Sequence, residues 1–366
     1  MDDKLFFAIL RESLWHKGES IPKELAGRNV AKLFAIAEQQ AVSGLILDML
    51  MQQNVKMPQQ WVFETVGLLE QIKQQNRIVN NGVVKLNKLM SEGGINYVIV
   101  KGQIIASLYT DPLLRQSGDI DYYCDEQNFH LAQEVIRNSW QIEAERGTSE
   151  MHVHFDYHGV TYEGHFLLAN LYGRRRNMYW QQLMLKDSGA LVCINDKQIC
   201  TLSPTLHTLY VYIHLYDHLM ALGVGLRQFC DLAVMLHEYK SVIDMEALHR
   251  HLEMLGLEKA YRACGSILVD FLGFSKDELG YSLNNADRKY GRKIMDVVMY
   301  RGNMGHYNKR NGFRGWRHMV EATGIKLSHF LKFMPLAPSY SLGWLWYECR
   351  RNVKKLVASV KQNHHY

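Results

Sequence analysis

Apolar residues in the first part of the chain recur at helical spacing. Leu5, Phe6, Ile9, Leu10 and Leu14 form one stripe. Val30, Leu33, Phe34, Ile36 and Ala37 form a second, which leads into Val42, Leu45, Ile46, Met49 and Leu50. A longer pattern runs from Trp61 to Met90 through Val66, Leu69, Ile72, Val79, Val83 and Leu86, and Pro22 and Pro58 stand near helix starts. From residue 95 the pattern changes. Residues 95–100 (INYVIV) read as a buried strand, 118–124 (GDIDYYC) as a second, and 129–140 as a helix. Residues 151–157 and 160–168 then read as two strands joined at His158–Gly159, a hairpin signal, and 191–196 as a further strand or edge segment. Helical spacing returns after Ser203-Pro204, where Ser is suited to the N-cap and Pro to the first turn. Three helical stretches follow (206–220, 225–239 and 245–256). A basic loop is then expected over 302–318, and helices broken by Pro335 and Pro338. No internal repeat is evident.

This order predicts an α+β protein: a small mixed sheet in an α/β core, flanked by helical units at both ends. The expected division is 1–92 (N-terminal helical unit), 93–200 (α/β core) and 201–366 (C-terminal helical unit). The length of 366 residues allows a sizeable core.

Composition narrows the class only modestly. Hydrophobic content of 47% and charged content of 22% are ordinary for a globular chain. A net charge of +5 suits a phosphate-bearing ligand but is too small to argue for duplex DNA. The six cysteines have no CxxC spacing, so a reduced, cytoplasmic setting is expected. No signal peptide is read at the N-terminus, and no apolar run is long enough for a transmembrane helix.

Candidate chemistry concentrates between residues 97 and 124. An apolar strand ends in Lys101-Gly102, and the next strand carries Asp119 and Asp121 at i and i+2. Residues two apart on a strand share a face, with Cα atoms roughly 6.6 Å apart. Both carboxylates then reach one divalent ion or a pair of ions. Gly102 would let a phosphate approach the backbone, and a following helix would offer it free N–H groups. Lys101 and Arg115 are candidate triphosphate contacts, one a point charge and the other a bidentate fork.

Several motifs occur in order: Val100-Lys101-Gly102, then Tyr109-Thr110-Asp111-Pro112-Leu113-Leu114-Arg115, then Gly118-Asp119-Ile120-Asp121. Glu163-Gly164-His165, His214 with His218, and Arg227 to Asp231 complete the series. In these the chain resembles the bacterial uncharacterised nucleotidyltransferases, within the superfamily of DNA polymerase beta and kanamycin nucleotidyltransferase. The resemblance covers roughly residues 25–310. Lys101-Gly102 stands where the wider superfamily carries Gly-Gly or Gly-Ser.

The resemblance implies transfer of a nucleoside monophosphate from an NTP to an acceptor hydroxyl, with Mg²⁺ or Mn²⁺ and release of pyrophosphate. Asp119, Asp121 and Glu163 would be the catalytic and metal-holding carboxylates. Lys101, Gly102, Arg115 and Gly118 would bind the nucleotide. Asp156, on the other arm of the hairpin, is the rival to Glu163 for the third carboxylate. His165 is expected beside the metal, and His214, His218, Arg227 and Asp231 are possible cleft residues, the last two as a helix ion pair. A small-molecule acceptor is preferred. The alternatives are a toxin-like or regulatory transferase acting on protein or RNA, and a decayed nucleotide-binding module. Arg174–Arg176 with Tyr179 and Trp180 is a candidate nucleic-acid patch, and a zinc site among His152, His154, His158 and His165 is disfavoured because no Cys lies at ligand spacing.

Overall fold

A computed structural model describes residues 3–142, 145–146, 152–221, 223–303 and 316–363. It is a helix-rich α+β protein. Four helices come first: α1 (Asp3–Trp15), α2 (Gly27–Gln39), α3 (Ser43–Gln52) and α4 (Gln59–Glu92). The longest sequence stripe becomes α4, whose 34 residues extend about 51 Å at the helical rise.

The α/β part follows as β1 (Val98–Val100), a short helix α5 (Gly102–Ala106), β2 (Asp119–Tyr123) and α6 (Glu126–Trp140). Then come β3 (Glu145–Arg146), β4 (His152–Tyr157) and β5 (Val160–His165). Their sheet has the order β1-β2-β5-β4-β3, in which only the β2–β5 pair is parallel. The hairpin is where the sequence places it: His158 and Gly159 both have positive φ, as a two-residue turn with the twist of the flanking strands requires.

One face of the sheet is apolar. Ile99, Ile120, Tyr122, Val153, Phe155 and Tyr162 pack with Val79, Val83, Leu86 and Met90 of α4 and Phe129, Ala132 and Ile136 of α6. Each such buried side chain contributes on the order of 1.5–3 kcal/mol. The alternation of the strands therefore sends Asp119, Asp121, Glu163 and His165 to the opposite face.

Beyond the sheet come α7 (Arg174–Lys186) and a separate hairpin of β6 (Ala190–Ile194) and β7 (Lys197–Thr201). The sequence reading anticipated the first strand and not its partner, since Lys197 and Gln198 interrupt the apolar run. Next are α8 (Pro204–Ala221), α9 (Leu226–Glu238), α10 (Met245–Leu255), α11 (Glu258–Asp270), α12 (Asn285–Arg301), α13 (Trp316–Phe333) and α14 (Pro338–Asn363). Most of the expected basic loop, 304–315, lies outside the described residues.

The two helical regions share one core. Phe6, Ile9 and Leu10 of α1 and Leu45 and Ile46 of α3 belong to the same buried cluster as Leu209, Phe229, Leu232 and Ile267. Trp15 donates through Nε1 to the Leu272 carbonyl at 2.5 Å, and Phe7 of the same helix meets Phe271 with ring centroids 5.4 Å apart. The α/β part is thus seated on a body built from both ends of the chain.

Candidate active site

The polar face of the sheet looks toward α8 and α9. In the parallel pair Asp121 stands opposite Glu163, and Asp119 opposite Thr161. Cross-strand partners share a face, so the two aspartates and Glu163 lie together. His165 is two residues on, and its Nε2 lies 2.9 Å from Oδ1 of Asp121 and 3.8 Å from Glu163. One ligand atom each from Asp121, Glu163 and His165 lie within 4.8 Å of one another. Two carboxylate oxygens and an imidazole nitrogen are a donor set that suits a divalent ion, and three protein ligands leave positions for phosphate oxygens.

Lys101 closes this cluster from the end of β1. Its ammonium is 2.8 Å from the same oxygen of Asp121 and lies over the Tyr210 ring of α8, 5.8 Å from the centroid. Its backbone has φ 55° and ψ −140°, a conformation rare for a residue with a Cβ. Burial opposes charge on Asp121, but Lys101 and His165 outweigh it and hold the carboxyl well below its usual range. Asp119 goes the other way: the charge of Asp121, then burial, pushes it up, while Lys101 and Arg227 pull it down. Glu163 is also pushed up, by burial first and then by the two aspartates. One ionised carboxylate beside two of raised proton affinity is the arrangement expected where like charges crowd.

Gly102 and α5 carry a correction. The helix has five residues, too short to supply the N-terminal phosphate site expected from sequence. Gly102 is needed for another reason. It has φ 39°, and a Cβ there would lie 3.2 Å from the Asp119 carbonyl, so the glycine lets the chain turn closely past β2. At Gly118, by contrast, an added Cβ would meet nothing within 4 Å.

The two arginines are paired differently from the expectation. Arg115 is buried and grips Asp231 of α9 with both ends of its fork, Nε to Oδ1 at 2.7 Å and Nη2 to Oδ2 at 2.8 Å. Tyr109 donates to the same carboxylate at 2.9 Å, and Arg115 Nη1 donates to Ser117. Arg115 therefore fastens the segment leading to Asp119, rather than facing a ligand. Asn76 of α4 assists by donating to the carbonyls of Leu113 and Arg115. The expected Arg227–Asp231 helix pair gives way to this long-range pair. Arg227 instead donates through Nη1 to the Gln116 carbonyl at 2.5 Å, and its buried Nε has no partner among the described residues. Its charge acts on Asp119 and His218, which places it at the cleft.

The wall of the cleft is α8. His214 and His218, i and i+4, have ring centroids 4.4 Å apart. Burial and the nearby Lys101 lower both, His218 to about 4, so both are neutral at pH 7. His207, two turns before His214, accepts from the Lys101 backbone N–H at 3.1 Å and is lowered to about 3, first by burial and then by Lys101. Sequence reading missed His207. Its signal was the same one that found His214 and His218, a histidine seven residues earlier on the same helix face.

The other candidates stand at the edge of the cluster or away from it. Asp156 is exposed and accepts from Thr161 Oγ1 at 2.5 Å, with Thr161 itself paired to Asp119. It therefore lies one pair further along the face than Glu163. His152 pairs with His165 across β4 and β5, with ring centroids 5.2 Å apart. Arg176 sits in the first turn of α7, where it donates to the carbonyl of Leu255 and to Ser339. Trp180 is fully buried and Tyr179 pairs with His251 at 2.7 Å, so these two rings do not form the stacking surface of the candidate nucleic-acid patch.

Comparison with known proteins is decisive on one point. A family model described as uncharacterised nucleotidyltransferase matches residues 26–273. The chain belongs to this family. No curated protein matches it in sequence. Among solved structures, an antigenic nucleotidyltransferase-like protein from Paracoccidioides brasiliensis is similar at 14% identity, with a TM-score of 0.34. The match covers 54% of this chain and 94% of that one. Membership of the nucleotidyltransferase family makes the chain an enzyme of the transferase class, and the matched span contains every residue of the cleft described above.

Proposed function

We propose that the chain transfers a nucleoside monophosphate from an NTP to an acceptor hydroxyl, with pyrophosphate leaving. Asp121, Glu163 and His165 would hold Mg²⁺ or Mn²⁺, with Asp119 beside them. The ion, when bound, would neutralise charge on the triphosphate during in-line displacement. The observation that carries this reading is the convergence of those three ligand atoms within 4.8 Å, on the sheet face walled by α8.

The chain's own groups supply the rest. Lys101 and Arg227 offset two of the three acids in the cleft, so that with a divalent ion bound the cleft would favour a polyanion. Glu163, with its raised proton affinity and partial exposure, would either complete the ligand set or accept the proton of the acceptor hydroxyl. The acceptor oxygen then forms its bond to the α-phosphorus as the bond to the bridging oxygen of pyrophosphate breaks. The neutral imidazoles of His214 and His218 stand on the α8 wall, close enough to Lys101 and Asp121 to feel their charges. A small-molecule acceptor is the preferred reading over a protein or an RNA.

Calorimetric titration of ATP, CTP, GTP and UTP with Mg²⁺ tests the reading. The expected result is binding of at least one nucleotide, weakened at least tenfold by Asp119→Asn. No binding by any of the four would overturn it.

A further inference from the structure

We propose that the solvent face of α13 and α14 docks on an anionic lipid bilayer. This surface lies outside the cleft and is independent of the reaction assigned to it. The first observation is exposed apolar side chains at helical spacing. Leu327 and Leu331, i and i+4 on α13, are 47% and 64% exposed. Leu342 and Trp346, i and i+4 on α14, are 57% and 72% exposed. Arg350, also exposed, continues the α14 stripe one turn beyond Trp346.

These side chains are not the loose ends of frayed helices. The opposite faces are fixed to the body: Phe330, Phe333, Tyr340 and Trp344 are buried in the main core. Lys326 of α13 pairs with Glu348 of α14, and Arg351 joins the same carboxylate. The short turn Met334–Leu336 links the two helices. The exposed leucines and Trp346 are therefore presented by anchored elements, and nothing among the described residues covers them.

The second observation is charge. Residues 301–366 contain 12 Lys and Arg against 2 Asp and Glu, a net +10. Residues 1–300 contain 30 against 35, a net −5. The whole positive excess of the chain thus sits in the segment that carries α13 and α14. Lys354, Lys355 and Lys361 follow Arg350 and Arg351 on the same helix.

The coincidence of the two features selects the partner. An RNA would match the charge but leave four apolar side chains in water. A protein groove would match the leucines but has no need of ten positive charges. A bilayer with anionic headgroups uses both, apolar side chains entering the headgroup boundary and cations meeting the lipid phosphates. Trp and Arg are suited to that interface, with an amphipathic ring and a long stem. No described helix is long and apolar enough to cross a membrane, so the surface would lie on the bilayer. Because α13 packs on α8, a docked chain would hold the wall of the cleft close to lipid-borne acceptors.

Cosedimentation of the full chain with vesicles tests this. One set is pure phosphatidylcholine, and the other adds phosphatidylglycerol. The expected result is sedimentation with the anionic vesicles only, weakened by salt. Leu342→Glu with Trp346→Glu should reduce it about tenfold or more. Lys354→Glu with Lys355→Glu should do the same, while both variants keep the wild-type melting temperature and nucleotide binding. Failure to sediment with anionic vesicles overturns the proposal, as does equal sedimentation by the Leu342/Trp346 variant. Binding to RNA in place of vesicles in a parallel filter assay also overturns it. Nucleotide titration of the same samples reads the cleft separately.

Discussion

Arg115 and Asp231, 116 residues apart, meet as a buried two-point pair with contacts of 2.7 and 2.8 Å. The pair joins the loop before Asp119 to α9, across the boundary between the sheet and the helical body. Removing one partner of a buried pair leaves an uncompensated charge, which costs about 3–5 kcal/mol. Arg115→Ala and Asp231→Ala should each lower the denaturant midpoint accordingly. Arg115→Met combined with Asp231→Leu should recover part of the loss. Normal stability in Arg115→Ala with loss of NTP affinity would instead make Arg115 a ligand contact.

Arg227 should behave differently. Its Nε is unpartnered and its charge falls on Asp119. A charge-assisted hydrogen bond is worth about 1.5–3 kcal/mol, so Arg227→Met should raise the NTP KM roughly 10- to 150-fold. Arg227→Lys should recover part of that by keeping the charge without the fork. Steady-state kinetics at several nucleotide concentrations separates KM from kcat. An unchanged KM in Arg227→Met would remove this residue from the triphosphate site.

Two groups on α8 should give pH dependences of opposite sign. Asp217 accepts from Tyr340 at 2.8 Å, and burial pushes its carboxyl up to about 7. The folded state therefore keeps its proton between roughly 4 and 7, where the unfolded chain has released it. Its stabilising contribution is full below about 4 and is lost as pH rises through 7. His218 is lowered to about 4, so its contribution is full above roughly 6.5 and is lost as pH falls to about 4. Relative to wild type, Asp217→Asn should gain stability as pH rises from 4 to 8. His218→Gln should gain as pH falls from 6.5 to 4. Melting curves across pH that run parallel to wild type for both variants would contradict these assignments.

Packing around the loop before the site can be tested through glycine. A Cβ on Gly44 of α3 would lie 2.0 Å from the carbonyl oxygen of Leu114, the residue before Arg115. Gly44→Ala should destabilise by about 1–3 kcal/mol or more, because the obstacle is backbone. Gly67 of α4 has open space at the same position, so Gly67→Ala should stabilise by roughly 0.5–1 kcal/mol. Chemical denaturation of both variants decides it, and equal effects would show that Leu114 moves freely.

What the sequence made legible follows from the range of the interactions. Helices with long apolar stripes, such as α4, and the hairpin at His158–Gly159 depend on local spacing and turn chemistry. Asp119, Asp121 and Glu163 were recognisable because strand period and motif order are both written in the chain. The partner of Arg115 was not. Arg227 and Asp231 are correctly spaced for an i,i+4 pair, and only the fold brings Arg115 to Asp231 first. His207 and the unpartnered Nε of Arg227 were hidden for the same reason, since burial and hydrogen-bond satisfaction depend on distant elements. The helix after Gly102 was expected, but not that α5 stops after five residues, because periodicity does not reveal where a helix ends.

Direct metal binding tests the central proposal most closely. Electron paramagnetic resonance of Mn²⁺ titrated into the full chain with an NTP counts free ion without relying on turnover. The expected result is Mn²⁺ retention by wild type that falls at least tenfold in Asp121→Asn and Glu163→Gln. Asp156→Asn, one pair further along the sheet face, should retain Mn²⁺ like wild type. Equal retention by wild type and Asp121→Asn would contradict a metal site at Asp121, Glu163 and His165.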